Sequence, residues 1–177
     1  MTPMLGIMAS QISGHLTAYS YDSIATVTVG GGGTTTITFS SIPSTYTHLQ
    51  IRGFMMNGNY ATLRFNGDTT AANYANHYLT GNGAAASSAY NASAAYVPMS
   101  GSGGTTNPYV FVTDILDYAN TNKFKTVRSL EGYDANGSGS VYLSSNLWRS
   151  SSAVTSIVLT AASTINQYSS FALYGIK

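Results

Sequence analysis

The chain has 177 residues, with seven basic and six acidic side chains, a net charge of +1, fourteen tyrosines and no cysteine. A length of this order fits one domain, and the absence of cysteine excludes disulfides and thiolate metal sites. Ordinary soluble domains are about one quarter charged. A chain that is 7% charged offers few titratable groups for catalysis, and its near-neutral balance gives no electrostatic ground for binding nucleic acid.

The opening Met1–Ser10 holds a short apolar run without the basic stretch that begins a signal peptide. Residues 1–22, apolar at Met4, Leu5, Ile7, Met8, Ile12 and Leu16, are predicted to form an N-terminal arm. Chain ends are ordered when something ties them down, so the arm is expected to dock on a larger partner or a sister subunit. No run approaches the ~20 apolar residues of a membrane helix. The expectation is a protein made in the cytoplasm with no membrane partner.

From residue 23 onward the hydrophobic period is two. Ile37 and Phe39 alternate with Thr36, Thr38 and Ser40, and Leu49 and Ile51 alternate with His48, Gln50 and Arg52. Such alternation in β-branched and aromatic runs, broken by Gly, Asn, Ser and Pro, predicts strands. They are expected near 23–29, 34–40, 46–55, 60–66, 73–80, 94–99, 108–118, 123–132, 139–148, 153–160 and 169–176. Gly30–Gly33 reads as a hairpin turn between the first two, and Asn57-Gly58-Asn59 as the turn from the third to the fourth. Asp117–Lys123 and Asp134–Ser140 turn the later strands back. Residues 81–107, rich in Ala, Ser and Gly, read as a long excursion carrying one short strand. Short strands at this spacing predict a single all-β domain over 23–177, an antiparallel β-sandwich of jelly-roll-like form.

Polarity divides along the chain. Asp114, Asp117, Lys123, Lys125, Arg128, Glu131 and Asp134 gather in one stretch, leaving the rest nearly neutral. In the strand at 108–118, Phe111, Thr113 and Ile115 share one face, while Val110, Val112 and Asp114 share the other. Apolar residues on both faces are expected of a strand covered twice, by the opposing sheet and by a neighbouring subunit or the arm.

Candidate chemistry is sparse. No Gly-x-Ser-x-Gly elbow introduces a serine nucleophile, and His15, His48 and His77 stand apart in sequence. Asp114 and Asp117, three apart, fall on opposite faces of a strand unless Asp117 already belongs to the turn, which it is expected to cap. With six acids in all, a paired-carboxylate glycosidase site is not expected. Asp134-x-Asn136-x-Ser138-Gly139 begins like a calcium loop but lacks the bidentate Glu that completes one, and it reads as a turn. No catalytic residue, metal site or cofactor is assigned.

The aromatics remain. Tyrosine joins a large rigid contact area to a hydroxyl, which suits core packing, subunit interfaces and sugar stacking alike. Tyr74, Tyr78, Tyr90, Tyr96 and Trp148 are the candidate interface or glycan-contact residues, with core packing as the alternative reading for each.

Four stretches carry a resemblance: Tyr21-Asp-Ser-Ile-Ala-Thr-Val-Thr-Val29, Ile37-Thr-Phe-Ser-Ser-Ile-Pro-Ser-Thr-Tyr-Thr-His-Leu-Gln-Ile-Arg52, Asp114-Ile-Leu-Asp-Tyr-Ala-Asn-Thr-Asn-Lys-Phe-Lys-Thr-Val-Arg128 and Ser169-Ser-Phe-Ala-Leu-Tyr-Gly-Ile-Lys177. With the opening Ile12-Ser-Gly-His-Leu16, they resemble small β-rich virion proteins of tailed bacteriophages. The resemblance implies a non-enzymatic structural component of the virion. The first expectation is a capsid decoration (cement) protein bound to the major capsid protein on the outer capsid surface. A homo-oligomer is expected, a homotrimer by the threefold docking points of icosahedral lattices. The alternative is a tail- or head-fibre module that contacts host surface glycan. An enzyme acting on host polysaccharide is a third, weaker reading.

Overall fold

The computed structural model describes residues 21–56, 59–99 and 106–177. The expected docking residues Met4, Leu5, Ile7, Met8, Ile12 and Leu16 lie outside them, as do the first two residues of the Asn57-Gly58-Asn59 turn. Twelve strands are present among the described residues: β1 (Tyr21–Thr28), β2 (Thr34–Phe39), β3 (His48–Met55), β4 (Ala61–Phe65), β5 (Tyr74–Gly81), β6 (Ala86–Ala94), β7 (Val97–Met99), β8 (Tyr109–Leu116), β9 (Lys125–Asp134), β10 (Gly139–Trp148), β11 (Ile157–Ile165) and β12 (Ser170–Ile176). β1 takes in Tyr21 and Asp22, the last two residues of the expected arm.

The strands form two antiparallel sheets packed as a β-sandwich. One has eight strands in the order β1-β12-β3-β8-β9-β10-β5-β6, and the other has four in the order β2-β11-β4-β7. The pairings nest: β1 with β12, β2 with β11, β3 with β8, and β4 with β7. Two hairpins, β5–β6 and β9–β10, extend the larger sheet on one side.

Nesting corrects two sequence expectations. Gly30–Gly33 does not close a hairpin, because β1 and β2 belong to different sheets. Gly33 N–H donates to Gly30 O at 3.2 Å, and Gly32 and Gly33 adopt φ of 93° and 68°, so the glycines turn the chain across the sandwich. Likewise β3 and β4 lie in different sheets. Alternation reveals strands but not their partners, and after β1 and after β3 the chain leaves one sheet for the other. The turns after β8 and β9 do join paired neighbours.

The third correction concerns 81–107. It carries not one short strand but two, β6 and β7. Residues 86–93 of β6 are all exposed, so this strand has no buried face to impose the alternation by which strands are recognised. Its register comes instead from pairing with β5.

The core fills the space between the sheets. Ile37, Phe39, Leu63, Phe65, Ile157 and Leu159 from the smaller sheet are buried together with Leu49, Ile51, Phe111, Ile115, Phe171 and Leu173 from the larger. Gly53 permits the tightest approach, because a Cβ there would overlap the Phe111 ring. Lys125 is also fully buried. Its ammonium donates to the carbonyls of Asn120 at 2.5 Å, Lys123 at 2.9 Å and Ser151 at 3.3 Å, so one charge ties the β8–β9 turn to the segment after β10. Burial lowers its pKa, partly countered by Asp117.

Candidate interaction face

The smaller sheet covers only one side of the larger one, and the other side faces outward. Along β8, Tyr109, Phe111, Thr113 and Ile115 are buried, while Val110 and Val112 are exposed. Strand alternation makes the outward set on β9 Arg128, Leu130, Gly132 and Asp134. Cross-strand register then assembles rows. Val112 pairs with Leu130, Leu130 with Leu143, and Leu143 with Leu79. The neighbouring row runs Phe54, Val110, Gly132, Val141 and Gly81. The seven apolar members of these rows are each 38% to 58% exposed.

A polar aromatic cluster borders this apolar band on the β1 side. The Arg52 guanidinium lies between the Tyr21 and Tyr174 rings, 5.1 Å and 4.9 Å from their centroids. Its Nε donates to Gln50 Oε1 at 2.7 Å, and Gln50 Nε2 donates to Asp114 Oδ1 at 2.7 Å. The chain of contacts fixes Arg52 flat against the sheet, a geometry suited to cation–π attraction.

On the β6 side, the His77 and Tyr90 rings stack at 5.5 Å and 19°. They line a hollow of about 580 Å³ with Leu79, Leu143 and Arg128. A second hollow of about 640 Å³ opens at Gly132, between Val110, Val112, Leu130 and Val141. Gly132 lies in its floor without a side chain, and a Cβ there would press on the Ser140 carbonyl oxygen of β10.

The five candidate aromatics do not gather into one surface. Tyr74 and Trp148 are buried, which corrects their reading as interface or glycan contacts. They stack with ring centroids 6.4 Å apart, and each packs against Phe65. Burying these rings requires partners for their polar atoms. Trp148 Nε1 donates to Asp68 Oδ2 at 2.7 Å, and Tyr74 Oη accepts from Phe65 N–H at 3.1 Å. Tyr96 is half-buried at the far edge of the smaller sheet, 5.6 Å from the Arg64 guanidinium. Tyr78 is half-buried beside the His77–Tyr90 hollow. Tyr90 alone is largely open, at 70% exposure.

The turn after β8 holds the densest group of charges. Asp117 adopts φ 50° and so belongs to the turn, not to the strand that carries Asp114. Its carboxylate meets Lys123 Nζ at 2.5 Å and lies 3.7 Å from His48 Nδ1. The Lys123 hydrogen bond, helped by the charges on Lys123 and Lys125, holds the carboxyl below its usual range against some desolvation. His48 Nδ1 accepts the Asp117 backbone N–H at 2.9 Å, which occupies the nitrogen a catalytic dyad would use. Among the described residues, no three of His, Asp and Glu lie close enough to hold a metal ion, and no helix is long and apolar enough to cross a membrane.

Sequence reasoning missed Leu79, Leu130, Leu143, Val141 and Phe54 as a single surface. The signal was present in Val110 and Val112, outward-facing apolar residues on a strand whose other face is core. It could not be extended without knowing that β5, β10, β9, β8 and β3 are neighbours. No family model, curated protein or solved structure matches this chain.

Proposed function

We propose that this chain is a non-enzymatic structural protein of a tailed-bacteriophage virion, acting as a capsid decoration protein on the outer shell. The observation that carries the reading is the outward face of the eight-stranded sheet, a wide uncharged apolar band. Exposed patches of this size mark contact surfaces, and a surface of hydroxyls and amides around them packs against protein without charge repulsion. Each bound copy would bridge neighbouring major capsid subunits and add interface area that opposes internal pressure. The nested strand pairings support the finer reading of the sandwich as a jelly roll, a double-sheet form shared by viral capsid and lectin domains.

A specific observation favours a second reading. The exposed His77–Tyr90 stack beside a hollow with Arg128 has the flat ring and polar neighbour that sugar binding uses, so a fibre module on host glycan is the alternative. One experiment separates them: a quantitative protein gel of purified virions, run beside a glycan array probed with the purified protein. Stoichiometric copies with no glycan signal support decoration. A few copies per particle with strong binding to host glycan would replace it with the fibre reading. Virions assembled without residues 1–16 test the arm, and unchanged occupancy and heat resistance would remove it from the proposal.

A further inference from the structure

We propose that the apolar face pairs with the same face of a second copy about a two-fold axis lying between the sheets. The axis runs across the strands and passes over Glu131 of β9. The pairing claims the same face that carries the capsid reading, so a second copy and the capsid are rival occupants of it.

Area comes first. The seven side chains of the two rows leave roughly 600–700 Å² of largely apolar surface in water, above the ~300–600 Å² of the largest patch on a typical monomer. Specific interfaces bury ~800 Å² on each partner, so this band with its polar margin matches one side of such an interface.

Shape selects the occupant. A two-fold axis of this direction keeps each strand over its counterpart and exchanges the rows on either side of residue 131. Leu130 then meets the partner's Gly132, at the hollow of about 640 Å³. Leu79 meets the partner's Gly81, which has open space where a Cβ would stand. Large side chains face absent ones at two positions, as an isologous interface requires. Packed sheets lie ~10 Å apart with strands offset by about 30°, a spacing that interdigitated leucines fill.

Charge selects the direction. Arg128 and Asp134 flank the band on β9, and both are exposed. Row exchange brings Arg128 over the partner's Asp134 at both ends of the interface. The other in-plane axis, along the strands, would set Arg128 on Arg128 and Leu130 on Leu130. Of these two axes over β9, the cross-strand one satisfies both sterics and charge, and it sets Arg52, in the row of Val112, over the partner's Phe54.

The test is sedimentation of the full chain, followed by charge-swap variants. The wild type is expected to run at twice 18.6 kDa. Leu130→Asp is expected to weaken association by at least ~100-fold, because it sets a carboxylate in an apolar contact, with its thermal midpoint at low concentration unchanged. Arg128→Asp and Asp134→Arg should each weaken association about tenfold or more, and the double swap should restore it. A monomeric wild type, a three-copy mass, or a double swap no stronger than either single variant would overturn the pairing. Each of those results leaves the decoration reading to be judged by the virion gel.

Discussion

Removing the Asp68 carboxylate should destabilise the sandwich in a pH-dependent way. Asp68 sits in the turn after β4, where Asn66 and Gly67 take positive φ. It accepts from Trp148 Nε1 at 2.7 Å, Asn73 Nδ2 at 2.8 Å and Thr70 N–H at 2.8 Å. Desolvation pushes the carboxyl up, but these hydrogen bonds together outweigh it and bring the pKa from 3.8 to about 2. At ~1.36 kcal/mol per pH unit the shift sets an upper bound of about 2.4 kcal/mol, which solvent contact at a partly exposed carboxylate reduces to about 1–2 kcal/mol. Asp68→Ala also leaves the indole N–H of a buried tryptophan without its acceptor, at a further ~1–3 kcal/mol. The expected total is about 2–5 kcal/mol at pH 7. The sign follows from the depressed pKa: the ionic part is complete above about pH 4 and is lost as pH falls through about 2. Urea unfolding followed by the emission of the single tryptophan measures this directly. The gap between wild type and variant should narrow by about 1–2 kcal/mol between pH 5 and pH 1.5. A gap below about 0.5 kcal/mol at pH 7, or one that stays constant down to pH 1.5, would refute the reasoning.

Tyr74 works in the opposite direction. Burial raises its hydroxyl to about 12 from 10, so its contribution is intact below pH 10 and is lost as pH rises toward 12, by up to about 2–3 kcal/mol. Tyr74→Phe should flatten that alkaline slope in a denaturation series and cost about 1–3 kcal/mol at neutral pH, since the Phe65 N–H loses its acceptor. Gly53→Ala should lower the thermal midpoint measurably, because the added methyl overlaps Phe111 in the middle of the larger sheet and overpacking costs ~1–3 kcal/mol. A midpoint equal to wild type would show that Phe111 has room to move.

Much of the fold is legible in the sequence where one face of a strand is buried. Ile37 and Phe39, or Phe111, Thr113 and Ile115, announce their strands because the sandwich demands apolar residues at every second position. β6 is silent for the same reason, since a strand open on both faces carries no such demand. Pairing is less legible than existence. Gly30–Gly33 looks like a hairpin, and only the nesting of β1 with β12 and β2 with β11 shows that it is a crossing. Among the candidate aromatics, Tyr74 and Trp148 stay open between core and contact surface until Asp68, six residues from one and eighty from the other, is seen to satisfy the indole. Lys125 gives no warning of its burial, because the three carbonyls that hold it come from two separate loops.

The nested pairings also set a timetable for synthesis. β1 is complete at Thr28, but its partner begins at Ser170, so at ~5–20 residues per second the first strand waits roughly 7–30 s for the last one to be made. During that interval the ribosome carries an open set of strand edges with little charge to keep nascent chains apart. A chain rich in Ser, Thr and Gly suits that wait, since its unfinished strands carry polar side chains that water solvates until β12 closes between β1 and β3.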